Sequence, residues 1–214
     1  MTLLLTSTGL STKEIQEFFV RKVVEKMVGQ GKSLSDATAL IVAYAQNAHE
    51  QGYVDESVQE LTDLGLSVTV FNLTEEKFAF AESADDSSDK KYDVVYVCGG
   101  NTFAILERMK KTGIDTYIES AVCEHGALYV GVSAGSIIAG PSIEIAGWGS
   151  EGDPNDVNLQ NLSGFSLTDI SIFPHFRAEL SGEVAEFQKK VSYSVTALTD
   201  TEALWVDKSA ILYI

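Results

Sequence analysis

The feature that most constrains this chain is a hydrophobic period that switches back and forth along it. The run LLLTS (3–7) precedes EIQEFFVRKVVEKMV (14–28), whose apolar residues recur at three- and four-residue spacing. ATALIVAYA (37–45) precedes YVDESVQELTDLG (53–65), where Gly65 supplies a helix stop. SVTVFNL (67–73) is followed by the polar SADDSSDKK (83–91), which reads as a solvated loop. DVVYV (93–97) leads through CGGN into the helical patterns TFAILERMKK (102–111) and IDTYIESAVCEHG (114–126), and ALYVGV (127–132) into a serine-containing turn. Short strands alternating with helices predict parallel β-α-β units, hence an α/β fold with a mostly parallel sheet and helices on both faces. At 214 residues the chain suits one domain, 1–214, with a substantial core.

The character changes after the serine turn. AGWGSEGDPNDVNLQNLSG (146–164) is rich in Gly, Asn and Asp and long for a connection, the kind of loop that is either functional or disordered. A strand ending at His175 is expected in LTDISIFPHF (167–176), then a helix over 178–190, a strand in SVTALTD (194–200), and a hairpin in ALWVDKSAILYI (203–214). The serine turn, CGGN and His175 would then all follow strand C-terminal ends, the rim on which open parallel sheets bind ligands.

Charge and composition exclude several classes of function. The longest apolar runs (LIVAYA, DVVYVC, ALYVGV) fall well short of the roughly 18 residues a membrane span needs. MTLLLTSTG lacks a basic n-region and a cleavage motif and reads as a first strand, so the expected location is cytoplasmic. With 31 acidic and 15 basic residues, a net charge of −16, no basic footprint exists for nucleic acid or an anionic membrane. Cys98 and Cys123 lie in apolar runs without C-x-x-C spacing and are expected to be buried, reduced thiols. His49, His125 and His175 are scattered without metal-ligand spacing, so neither a metal nor another cofactor is expected.

The stretch GVSAGSIIAG (131–140) carries the chemistry. G-x-S-x-G between a strand and a helix is the nucleophile-elbow pattern, although the same residues also suit an ordinary glycine-rich bend. A serine nucleophile needs a base in hydrogen-bond reach and a group that orients the base. His49 sits in a polar helix-to-loop stretch, and His125 beside a helix end whose carbonyls it can cap. His175, between Pro174 and Phe176 at a strand end, is the candidate base. An oxyanion would need converging backbone N–H groups, with Ala134 and the Gly99-Gly100-Asn101 turn as the candidates.

The motifs YVCGGNTFAILERMKK, GVSAGSIIAGP and IFPHF, in this order and spacing, resemble the aspartyl dipeptidase (dipeptidase E) family of serine peptidases, which includes the cyanophycinases. The resemblance runs from about residue 93 to residue 206. It implies a fold related to the class I glutamine amidotransferases, a Ser-His-acid triad, and cleavage of short peptides or isopeptides bearing aspartate. Residue by residue, it implies Ser133 as nucleophile, His175 as base, and Gly100 and Ala134 as oxyanion donors. The acid it implies lies in ALTDTEALWV (197–206), at Asp200 with Glu202 two residues on; Glu151, Asp153 and Asp156 in the preceding loop are the other candidates. Asp200 is preferred, because a strand-end carboxylate can hold an imidazole rigidly. Asn101 and Arg177 are the expected substrate contacts. The chain departs from the family after the histidine: PHFRAELSGEVAEFQKK has a single arginine close to His175, which puts aspartate specificity in question. The expected partner is a short peptide, with a homodimer left open. Two other readings remain: a small esterase, against which stand the 42-residue serine-to-histidine spacing and the missing HGGG loop, and a non-catalytic binding or stress protein on the same fold.

Overall fold

A computed structural model describes residues 1–75, 77, 91–208 and 210–214. Of the polar stretch 83–91, all but Lys91 lies outside the described residues. Among the described residues seven strands form the main sheet: β1 (Thr2–Thr6), β2 (Thr38–Ala43), β3 (Ser67–Asn72), β4 (Val94–Val97), β5 (Leu128–Val132), β8 (Ala203–Val206) and β9 (Ile211–Tyr213). Their order is β3-β2-β4-β5-β1-β8-β9. The first five are mutually parallel, and β8 and β9 close one side as the expected antiparallel hairpin. Two further strands, β6 (Ile170–Phe173) and β7 (Ser194–Ala197), pair in parallel as a separate small sheet.

Strand alternation divides the core between the two faces of the main sheet. Leu4, Ile41, Tyr96 and Val130 pack against α1 (Lys13–Gly29) and α2 (Ala48–Asp63). Leu3, Leu5, Val42, Val97 and Tyr129 face the other way, toward α3 (Thr102–Thr112), α4 (Ile114–Cys123) and the short α5 (Ala134–Ile138). The small sheet and α6 (Ser181–Lys190) extend that second layer through Ile170, Ile172 and Phe187. Side-chain caps set the helix starts. Thr12 accepts from the N–H of Ile15, and Asn47 accepts from those of His49 and Glu50, so α2 begins earlier than its apolar pattern suggests and takes His49 into its first turn.

Two expectations change. His175 does not follow a strand of the main sheet: it stands beyond β6, and so on a second sheet. Cys123 is exposed on α4 rather than buried. The loop after the serine turn is pinned in place: Ser142 bridges Ser163, and the Asp153 carboxylate accepts from the N–H (2.8 Å) and hydroxyl (2.7 Å) of Thr102 at the start of α3. Among the described residues no helix is long and apolar enough to cross a membrane.

Candidate active site

The chain leaves β5 at Val132 and reverses at Ser133, whose backbone lies at φ 48°, ψ −107°. A non-glycine residue there costs about 1–3 kcal/mol and persists only where its surroundings enforce it. Close packing does so here. A Cβ on Gly131 would come within 2.7 Å of the Ser136 nitrogen, and one on Gly135 within 2.2 Å of the Val97 carbonyl oxygen. The two glycines of the elbow are therefore required by backbone approach. Buried Ser136 braces the turn: its hydroxyl accepts the Thr6 N–H (2.9 Å) and faces the carbonyls of Thr6 (2.7 Å) and Gly131 (2.8 Å). The Ser133 N–H donates to the Thr6 carbonyl at 2.9 Å.

His175 follows Pro174 at φ 55°, and Asp200 lies three residues beyond β7. The β6–β7 pairing continues past the strand ends, with Leu198 N–H donating to Phe173 (3.0 Å) and Phe176 N–H to Leu198 (2.9 Å). That continuation carries the imidazole and the carboxylate to the same end of the small sheet. Nδ1 of His175 is 2.7 Å from Oδ1 of Asp200, and Nε2 is 2.9 Å from Oγ of Ser133. A carboxylate only accepts, so Nδ1 carries the proton, and in the neutral imidazole Nε2 is then an acceptor for the serine hydroxyl. The His175 and Asp200 side chains are 44% and 63% exposed, so the pair is held by geometry more than by a low-dielectric surround.

The other candidate acids have different partners. Glu202 folds back on its own turn, accepting from the N–H and hydroxyl of Thr199 at 2.8 Å each. Asp153 holds the start of α3, as described above. Glu151 forms an ion pair with Arg177, and Asp156 is exposed, its carbonyl accepting from Asn158. Asn101 uses both ends of its amide: Oδ1 caps α3 through the Ala104 N–H (2.9 Å), and Nδ2 donates to the Pro154 carbonyl (2.9 Å). Gly100 takes φ 135°, and a Cβ on Gly99 would lie 3.3 Å from that of Ser133, so this turn passes directly against the serine.

Gly100, Ser133 and His175 line two cavities at once. The smaller, about 120 Å³, is walled by Trp148, Phe173, Leu180, Glu151, Asp153 and Glu183. The larger, about 580 Å³, is walled by Tyr44, Tyr53, Tyr96, Glu50, Glu56 and Glu60. Burial raises the Glu60 carboxyl above its ordinary value and pushes the Cys98 thiol, also on this wall, up to about 12. Among the described residues no group of three or more His, Cys, Asp or Glu is arranged to hold a metal ion.

Sequence reasoning missed the loop that follows β1. Ser7, Thr8 and Ser11 reach the His175 and Asp200 segments through their hydroxyls. The only local signal is the Ser/Thr-rich run TSTGLST, which is equally the composition of a plain turn.

Comparison with known proteins agrees with this architecture. An uncharacterized peptidase of Listeria monocytogenes is 36% identical over 126 residues, 58% of this chain and 58% of that protein, so the match spans less than two thirds of the relative. Peptidase E of Shigella flexneri is 27% identical over 216 residues, covering 97% of this chain and 86% of that one. A 1.5 Å crystal structure from Listeria monocytogenes EGD-e, provisionally named a peptidase E, superposes with a TM-score of 0.72 at 25% identity, covering 100% of this chain and 97% of that one. A peptidase from an acI-B1 actinobacterium shares the fold, with a TM-score of 0.68 at 16% identity over 100% and 86% of the two chains. The sequence pattern of peptidase family S51 matches residues 3–214, and the chain belongs to that family of serine-type peptidases.

Proposed function

We propose that the protein hydrolyses short peptides, with Ser133 as nucleophile, His175 as general base and Asp200 as the acid that orients the imidazole. The observation that carries this reading is the unbroken run of contacts from Ser133 Oγ to His175 Nε2 (2.9 Å) and from His175 Nδ1 to Asp200 Oδ1 (2.7 Å). Oγ attacks the scissile carbonyl while Nε2 takes its proton, and Asp200 stabilises the imidazolium that forms. The same proton passes to the departing amine, and water then releases the acyl group from Ser133 by the reverse sequence. Ala134 opens α5, so its N–H is one of the donors a helix cannot satisfy internally. With the Gly100 N–H across the cavity wall, it would receive the developing oxyanion.

Short substrates are favoured by the enclosure of the site. The 146–164 loop is tied down by the Asp153–Thr102 and Asn101–Pro154 hydrogen bonds and by the Arg177–Glu151 pair, and it walls one side. Asn101, fully engaged by these bonds, would act by shaping the wall of the larger cavity. Aspartyl peptides or isopeptides, the class the resemblance implies, meet three glutamates and no lysine or arginine among the described lining of that cavity. Arg177 could receive a substrate carboxylate only by giving up Glu151. These features favour neutral or basic side chains over aspartyl ones.

The test is a dipeptide library that includes aspartyl, isoaspartyl, alanyl and lysyl members, run on wild type and Ser133→Ala together with fluorophosphonate labelling. Hydrolysis and labelling should both vanish in Ser133→Ala. A folded wild-type protein that neither labels nor cleaves any member would favour a binding protein instead.

A further inference from the structure

We propose that Ser7 is a positioning residue for catalysis, an inference that rests on the Ser133-His175-Asp200 reading. The nucleophile rides on the main sheet at the end of β5, whereas the base and acid ride on the small β6–β7 sheet. Their 2.9 Å contact therefore depends on what fixes one sheet against the other. Thr6, the last residue of β1, accepts the Ser133 N–H through its carbonyl at 2.9 Å. The next residue, Ser7, is 1% exposed, and its hydroxyl accepts the His175 N–H at 3.1 Å while donating to the Leu198 carbonyl at 2.9 Å. One hydroxyl can make both bonds at once, since it has one proton to give and lone pairs to receive.

Further along the same loop, the Thr8 and Ser11 hydroxyls both donate to the Asp200 carbonyl, at 2.6 and 2.9 Å. Residues 6–11 thus touch the backbone of all three triad members. Ser7 is the buried joint among them. His175 holds a left-handed backbone, φ 55°, which a non-glycine residue keeps only under external restraint, and the bond to Ser7 restrains its N–H directly. Without it, the imidazole would shift by the fraction of an ångström that proton transfer does not tolerate. Ser7 touches no reacting atom, so its effect passes through the base.

The experiment compares Ser7→Ala, Ser7→Thr and Asp200→Asn with wild type, singly and with Ser7→Ala combined with Asp200→Asn. Readouts are kcat and KM on the best dipeptide and the rate of fluorophosphonate labelling of Ser133, with far-UV circular dichroism as the check on folding. Ser7→Ala is expected to lower kcat and labelling by about 10- to 100-fold, on the order of a misplacement effect, with KM nearly unchanged. Ser7→Thr, which keeps the hydroxyl, should recover part of the loss. In the Asp200→Asn background, where the imidazole has already lost its orientation, Ser7→Ala should cost less than about threefold. Folded Ser7→Ala with kcat within about threefold of wild type overturns the inference, as does a loss fully additive with Asp200→Asn. If Ser7→Ala does not fold, Ser7→Cys, similar in size but a weaker donor and acceptor, carries the same comparison. Retained activity in Ser133→Ala and His175→Ala would overturn the triad and this inference together, whereas their inactivity beside a fully active Ser7→Ala would overturn this inference alone.

Discussion

His175 Nε2 stands 2.9 Å from Ser133 Oγ, although the two residues are 42 positions apart and belong to different sheets. The contact is made at a seam: an elbow strained at φ 48° comes from one side and a histidine held at φ 55° from the other. Both residues are non-glycine and held at positive φ, and each is tied by its N–H to adjacent residues of the first strand and its loop. Strain on both sides of one hydrogen bond is what would be expected where packing places two side chains for a reaction.

If these two side chains act as one unit, their losses will not add. Ser133→Ala and His175→Ala should each lower kcat by roughly 10³-fold or more, and the double variant should be little worse than either. Steady-state kinetics on the same dipeptide decides the matter, and multiplied losses in the double variant would separate the two residues.

The acids divide by role. Asp200→Asn should reduce kcat by about 10²- to 10⁴-fold, because an amide cannot stabilise the imidazolium and favours the wrong tautomer. Glu202→Gln and Asp153→Asn should stay within about fivefold in kcat, a bound drawn from their placement outside the proposed triad. Asp153→Asn should instead lower Tm by a few degrees, the effect of about 1 kcal/mol lost from a helix-capping carboxylate. Kinetics and thermal melts on the three variants give the ranking.

Gly135→Ala tests the elbow without touching its chemistry. The added methyl would meet the Val97 carbonyl oxygen at 2.2 Å, so backbone must move. Overpacking of this kind costs about 1–3 kcal/mol, or roughly 2–12 °C in Tm for a chain of this size. Fluorophosphonate labelling of Ser133 should slow at the same time. Wild-type melting and labelling would mean that the turn has more room than the packing indicates.

Substrate charge should follow the cavity walls. Lysyl and alanyl peptides should exceed matched aspartyl peptides in kcat/KM by about tenfold at low salt, and added salt should narrow the gap by screening the exposed carboxylates. Glu56→Gln should narrow it too. Glu151→Gln, which releases Arg177, should lower KM for peptides with a free carboxylate but not for amidated ones, and Arg177→Gln should do the reverse. A preference for aspartyl peptides that survives in high salt would place recognition elsewhere.

Much of this protein is local and could be read residue by residue. The alternation from LLLTS to GVSAGS sets strands and helices because each segment carries its own hydrophobic period. The elbow is legible because only glycine at 131 and 135 permits the close backbone approach at Ser133. Long-range pairing decided the remainder. Whether LTDISIF joins the main sheet or founds a second one depends on which edge its backbone meets, and alternation is the same in either case. Asp200 and Glu202 are two residues apart and equally acidic, yet one faces the imidazole and the other closes on Thr199, a choice made by the turn between them. Arg177 finds Glu151 across 26 residues, and Ser7 finds His175 across 168. A serine in a Ser/Thr-rich loop carries no mark of the carbonyl and N–H it will bridge, because those partners converge only when the two sheets are packed together.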